Sequence, residues 1–190
     1  MNIIMHKQNL DLITLYAKAV VLANKRHDGQ TRKVNGEPFV THPLRVSEIV
    51  LQNFKEHQEV ETMRLVAVLH DLLEDTNTTE QELEQIFGKK VSEMVKALSE
   101  NKSLPTRKES YAEYLGRLII AEDSVKIIKL CDIQDNLSTI DDNVYWKAFL
   151  ERSKQTLEKL NLRDERMNKK YSKIKEKLLQ KIIKELEKRK

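Results

Sequence analysis

The chain has 190 residues, one cysteine, 34 Lys and Arg against 30 Asp and Glu, and only four Gly and three Pro. This length suits one compact domain with a real core. A disulfide framework is excluded, and no apolar run reaches membrane-spanning length. The single Cys131 and the lack of an amino-terminal apolar segment with a cleavage site lead us to expect a soluble protein of the reducing cytoplasm. Scarce turn formers beside abundant Leu, Ile, Lys and Glu point to an all-α fold.

The charge is unevenly spread. Residues 1–150 carry 19 Lys and Arg against 23 Asp and Glu, whereas 151–190 carry 15 against 7. A basic tail raises the prospect of nucleic-acid binding, but this one has a single aromatic, Tyr171. Its Leu178, Ile182, Ile183 and Leu186 recur at helical spacing, so an amphipathic helix packed on the body is preferred to an RNA-binding arm.

In chain order, a first helix fits Leu10 to Arg26, with Leu12, Leu15, Ala19 and Leu22 on one face, and Gly29 ends the pattern. A polar loop runs from Asp28 to Thr41. His42 precedes Pro43, which disfavours helical geometry at His42 and places it at the mouth of a helix over Leu44 to Asn53. A third helix is predicted from Val60 to Leu73. Thr79-Glu-Gln-Glu82 reads as a capping box opening a short helix to Phe87, and Gly88 closes it. Val91 to Leu98 is another helix, and Asn101 to Arg107, with Pro105, a second long loop. Helices over Tyr111 to Ile120, Val125 to Leu137 and Val144 to Leu160 follow, and then the tail. Residues 1–160 are expected to form one domain, with 161–190 as a basic helix packed on it or extending it.

The informative stretch is Val66-Ala-Val-Leu-His-Asp-Leu-Leu-Glu-Asp75, where His70, Asp71, Glu74 and Asp75 interrupt an apolar run. Burying such groups costs roughly 2 kcal/mol or more each unless a strong partner is found, and a metal ion would serve. On a helix, His70 pairs with Glu74 and Asp71 with Asp75, one turn apart. A second apolar run, Val125 to Asp132, also ends in a carboxylate. A His-Asp dipeptide alone is commonly a core pair. The conjunction argues for more, because three separate segments deliver His42, His70 with Asp71, and Asp132. This mixed nitrogen and oxygen set suits Mn²⁺, Fe²⁺ or Zn²⁺ with positions left for water and substrate. Such an ion lowers the pKa of bound water from about 15.7 towards 7, so hydrolysis is the expected chemistry.

The runs His27-Asp-Gly-Gln-Thr-Arg-Lys33, Gly36-Glu-Pro-Phe-Val-Thr-His-Pro43, Leu69-His-Asp-Leu-Leu-Glu-Asp-Thr76, Phe87-Gly88 and Lys129-Leu-Cys-Asp-Ile-Gln-Asp-Asn136 occur in this order. Together they resemble the HD-type hydrolase domain of the Rel/Spo family, most closely its free-standing small alarmone hydrolases. The resemblance covers about residues 10–140 and implies an all-helical HD-domain bundle. It implies Mn²⁺ on His42, His70, Asp71 and Asp132, and water handling by Glu74 and Asp75. It implies substrate contacts at Arg32, Lys33, Asn136 and Thr139. Lys102 and Arg107 are weaker candidates for phosphate contacts, and His27 is read as structural.

The implied activity is 3′-pyrophosphate removal from (p)ppGpp, the alarmone of the stringent response, giving GDP or GTP and pyrophosphate. With no room for a synthetase domain, hydrolysis alone is expected. The partner is then a small nucleotide, with neither membrane nor nucleic acid, and a homo-oligomer is left open. The chain departs from the family at Ile133 and Asp135, where a cation and an aromatic or imidazole ring are usual. That departure motivates a second reading, another 3′-phosphorylated nucleotide such as an adenosine alarmone or NADPH. A third is a catalytically silent nucleotide-binding module.

Overall fold

The computed structural model describes residues 2–140 and 146–189, with side chains from residue 11 onward. Among these, ten α-helices and one isolated bridge, Thr31 with Pro38, make up the regular structure. The expected all-α class holds, and no described helix is long and apolar enough to cross a membrane.

The centre is α8 (Asp123–Ser138), buried on nearly every side through residues including Val125, Ile127, Ile128, Leu130, Cys131 and Ile133. A helix buried on most sides belongs inside a fold, and the buried charged groups this one carries, Lys126, Asp132 and Asp135, each have a partner there. Against it packs α2 (Thr41–Phe54), which turns Val46, Val50 and Phe54 inward. The helix α3 (Val60–Leu69) packs on both and contributes Met63, Val66 and Ala67, and α1 (Asn2–Arg26) covers α3 through Ala19 and Ala23.

The third predicted helix is divided. Its first part, α3, ends at Leu69, His70 and Asp71 form a turn, and α4 (Leu72–Asp75) follows. His70 Nδ1 donates to the Ala67 carbonyl at 2.8 Å, and the Asp71 carbonyl accepts from Glu74 N at 3.2 Å and Asp75 N at 2.9 Å. The chain bends without leaving helical backbone space, since His70 lies at φ −60°, ψ −30° and Asp71 at φ −93°, ψ −6°.

His42 also differs from expectation, being the second residue of α2 rather than a residue before it. Pro43, which has no N–H, is then accommodated in the first turn, where that donor would be unpaired. The loop before α2 is folded back on itself by Arg32 N to Glu37 O at 2.8 Å and Phe39 N to Gln30 O at 2.9 Å. Gly36, at φ 73°, makes the turn.

At α5 (Glu80–Phe87), Thr79 accepts from Glu82 N as predicted, but the Glu82 carboxylate is drawn to Arg26 of α1. The helix α6 (Lys89–Leu98) follows at once after Gly88. A complete capping box stands instead at the start of α7 (Arg107–Ile120), between Thr106 and Glu109, so this helix begins four residues earlier than predicted and takes in Arg107.

The last two helices are α9 (Trp146–Lys159) and α10 (Glu165–Glu187). The predicted start of the former at Val144 falls outside the described residues. The basic α10 packs on α9 and α8 through Tyr171, Leu178 and Ile182.

Candidate metal centre

Three elements converge on one point. The first turn of α2 supplies His42, the turn between α3 and α4 supplies His70, and the buried α8 supplies Asp132; one ligand atom from each lies within 4.8 Å of the others. His42 Nε2 is 3.1 Å from Asp132 Oδ1, and His70 Nε2 is 3.7 Å from the same oxygen. Asp71 is at the rim, its Oδ1 3.1 Å from His70 Nε2 and its Oδ2 3.7 Å from His42 Nε2. All four expected ligands therefore meet, although only His42, His70 and Asp132 are fully buried.

Both imidazoles are held at Nδ1. His70 Nδ1 donates to the Ala67 carbonyl, and His42 Nδ1 faces Asp135 Oδ2 at 2.7 Å. That anchoring turns each Nε2 towards Asp132 and gives the tautomer with its lone pair on Nε2. His70 Nε2 is buried with no hydrogen-bond partner. A buried imidazole nitrogen without a hydrogen-bond partner and facing two carboxylates is a donor that a divalent cation takes, so the donor set fits a metal of the nitrogen and oxygen class.

The electrostatics agree. Burial alone would depress both imidazoles, but the carboxylates outweigh it: His42 is raised by Asp132, Asp135 and Asp71, and His70 is raised to about 9 by Asp71 and Asp132. Burial would likewise raise Asp132, yet Lys129 and the two imidazoles hold it well below the usual carboxylate range.

Glu74 and Asp75 sit beside this cluster but are only partly buried. Glu74 Oε2 accepts from Glu100 N at 3.0 Å, and burial raises its pKa, with Asp71 and Asp75 adding to the effect. Lys102, expected at a phosphate, instead spans these acids, 2.7 Å from Asp75 Oδ1 and 3.3 Å from Glu74 Oε1.

Three of the predicted substrate residues form one group. Arg32 is 7% exposed, and its Nη2 donates to Asn136 Oδ1 at 3.0 Å and to Thr139 Oγ1 at 3.2 Å. Asn136 Nδ2 in turn donates to Asp132 Oδ1 at 2.7 Å, which ties the group to the ligand cluster. Lys33 and Arg107 are exposed, the first in the loop before α2 and the second at the start of α7. His27 is buried, with Nδ1 2.8 Å from Gln30 Oε1 and its ring on Phe39, the packing of a structural residue.

Sequence reasoning missed Arg45 and Lys129, and it read Asp135 only as a departure from the family pattern. Asp135 is 2% exposed and takes His42 and Arg45. Lys129 Nζ lies 2.7 Å from Asp132 Oδ2. The available signal was spacing, since Lys129, Asp132 and Asp135 recur every three residues on one helix.

Comparison with known proteins accords with this site. An HD domain model matches residues 19–159, and the chain belongs to the HD domain family. The bifunctional (p)ppGpp synthase/hydrolase SpoT of Escherichia coli is 37% identical over 135 residues, which are 68% of this chain and 18% of that protein. The guanosine-3′,5′-bis(diphosphate) 3′-pyrophosphohydrolase of Haemophilus influenzae is 37% identical over 125 residues, 63% of this chain and 18% of that one. The chain thus spans under a fifth of the length of these curated relatives. Among solved structures, a metazoan ortholog of SpoT superposes with a TM-score of 0.70 at 24% identity, covering 92% of this chain and 95% of that chain, and it shares the fold.

Proposed function

We propose that the chain is a Mn²⁺-dependent 3′-pyrophosphohydrolase acting on (p)ppGpp. The observation that carries this reading is the convergence of His42, His70, Asp71 and Asp132 around the orphaned His70 Nε2, bonded through Asn136 to the Arg32 group. The named activities of the curated relatives support the choice of nucleotide.

His42, His70, Asp71 and Asp132 would hold a divalent ion, which would supply Lewis acidity at the 3′-linked phosphate. The chain's own residues do the rest. Arg32, held by Asn136 and Thr139, offers guanidinium N–H groups to the nucleotide's phosphates, with Lys33 at the loop edge. Glu74, its pKa raised by burial, accepts the proton of the attacking water, and Asp75, paired with Lys102, holds charge beside it. Water oxygen bonds to phosphorus, the P–O3′ bond breaks, and the 3′ oxygen takes the proton that Glu74 accepted from the water, which gives GDP or GTP and pyrophosphate and restores the carboxylate.

The reading of another 3′-phosphorylated nucleotide rested on Ile133 and Asp135. Ile133 is 1% exposed in the core and Asp135 is buried against His42 and Arg45, so neither side chain is free to select a base. Assay of purified protein with Mn²⁺ against ppGpp, its adenine counterpart and NADPH, reading products by anion exchange, tests the proposal. We expect GDP and pyrophosphate from ppGpp. Preference for either competitor overturns the nucleotide assignment, and nucleotide binding without turnover favours a silent module.

A further inference from the structure

We infer that Asp135, clamped by Arg45, is a positioning residue that fixes His42 as a metal donor. Both of its carboxylate oxygens are engaged. Oδ2 lies 2.7 Å from His42 Nδ1 and accepts from Arg45 Nη2 at 3.1 Å, while Oδ1 accepts from Arg45 Nε at 2.8 Å. Arg45 is itself held at Nη1 by Glu37 Oε2 at 2.9 Å and Thr41 Oγ1 at 3.2 Å. A carboxylate gripped in this way, at 2% exposure, offers no surface to a nucleotide.

The consequence falls on His42 Nε2. A carboxylate at Nδ1 fixes ring orientation and tautomer and raises the basicity of the opposite nitrogen more than a neutral carbonyl does. His70 has only the Ala67 carbonyl at this position. The two imidazoles are therefore unequal donors, and His42 is the one the chain has reinforced. The reinforcement also runs through Arg45 to Glu37, in the same loop as Arg32, and so links ligand geometry to the substrate-side loop.

The inference rests on the metal-binding part of the proposed function, and its principal test uses Mn²⁺ alone. Free Mn²⁺ is followed by electron paramagnetic resonance in titrations of the unaltered protein, Asp135→Asn and Asp135→Ala, and metal-free melting temperatures are recorded alongside. Asn retains an acceptor for Nδ1 without the charge. We expect Mn²⁺ affinity to fall roughly 10-fold in Asp135→Asn and roughly 100-fold in Asp135→Ala. At saturating Mn²⁺, kcat should return to within a few-fold of the unaltered protein.

Unchanged Mn²⁺ affinity in Asp135→Asn and in any folded Asp135→Ala overturns the inference. So does a raised KM at unchanged metal affinity, which would make Asp135 a substrate contact. If Asp135→Ala does not fold, Asp135→Asn decides alone. Should the unaltered protein bind Mn²⁺ and leave ppGpp intact, the nucleotide reading fails while the weakened Mn²⁺ binding of the variants still supports the inference.

Discussion

Lys129 Nζ stands 2.7 Å from Asp132 Oδ2, which leaves Oδ1 as the oxygen that faces His42 Nε2 at 3.1 Å. The ammonium thus takes one oxygen of this buried carboxylate, and the other, which also accepts from Asn136 Nδ2 at 2.7 Å, is the one turned to the site. Removing one member of a buried ion pair leaves an uncompensated charge. We expect Lys129→Met to cost about 3 kcal/mol in urea denaturation without metal. It should also weaken Mn²⁺ binding. Unchanged stability would mean that Asn136 alone suffices to hold Asp132.

The raised imidazoles make the metal-free protein sensitive to pH in a defined direction. His70 is near the ordinary value of 6.5 when unfolded and about 9 when folded, so its contribution is complete below about pH 6.5 and is lost as pH rises through about 9. In chelator, the melting temperature should fall across that window, and the slope should shrink in His70→Gln. Mn²⁺ requires neutral imidazole, so the stabilisation it adds should grow over the same range. Parallel curves with and without Mn²⁺ would contradict ligation by His70.

Asp71 has the most exposed carboxylate of the four expected ligands, and it approaches both imidazoles without belonging to the tight trio of His42, His70 and Asp132. We expect Asp71→Ala to lose bound Mn²⁺, measured by elemental analysis after gel filtration, and turnover with it. Retained metal-dependent hydrolysis would confine ligation to the buried three.

How far the site could be read in advance depended on how each residue betrays itself. His70 and Asp132 stand out because each breaks an apolar run, and burial makes such intrusions costly, whereas His42 is reached from its place beside Pro43 and from the resemblance. Asp135 does not stand out, because α8 is buried all round and periodicity cannot say which neighbour a given face meets. The division of α3 from α4 was equally hidden. His70 and Asp71 keep near-helical dihedrals, and the break is set by the bonds of Ala67 and Asp71, not by residue preference. Lys102 reached Glu74 and Asp75 through the path of the loop before α7, which composition does not specify. The box at Thr106 and Glu109, by contrast, is written in the local sequence Thr106-Arg-Lys-Glu109.

Glu74 is expected to act on protons and not on metal. Its carboxylate is fixed by Glu100 N, and burial raises its pKa towards the range where a carboxylate serves as a base. Glu74→Gln keeps the size and the acceptor oxygen. It should lower kcat by roughly 10² to 10⁴ while Mn²⁺ affinity changes little. A variant that loses metal in proportion to activity would place Glu74 among the ligands.

Arg32 separates a charge effect from a geometric one. Its Nη2 bonds Asn136 and Thr139 together, and Asn136 passes that order to Asp132. Lysine preserves the charge but not the planar fork, so it cannot reproduce both bonds while presenting donors to phosphate. We expect Arg32→Lys to raise KM for the nucleotide about tenfold, equivalent to roughly 1.4 kcal/mol of lost binding, with Mn²⁺ affinity within about threefold of the unaltered protein. Steady-state kinetics at saturating Mn²⁺ read the first quantity and metal titration the second. A fall in kcat at constant KM would mean that Arg32 acts on the reacting phosphate itself. A matching fall in Mn²⁺ affinity would mean that its chief role is to brace Asp132 through Asn136.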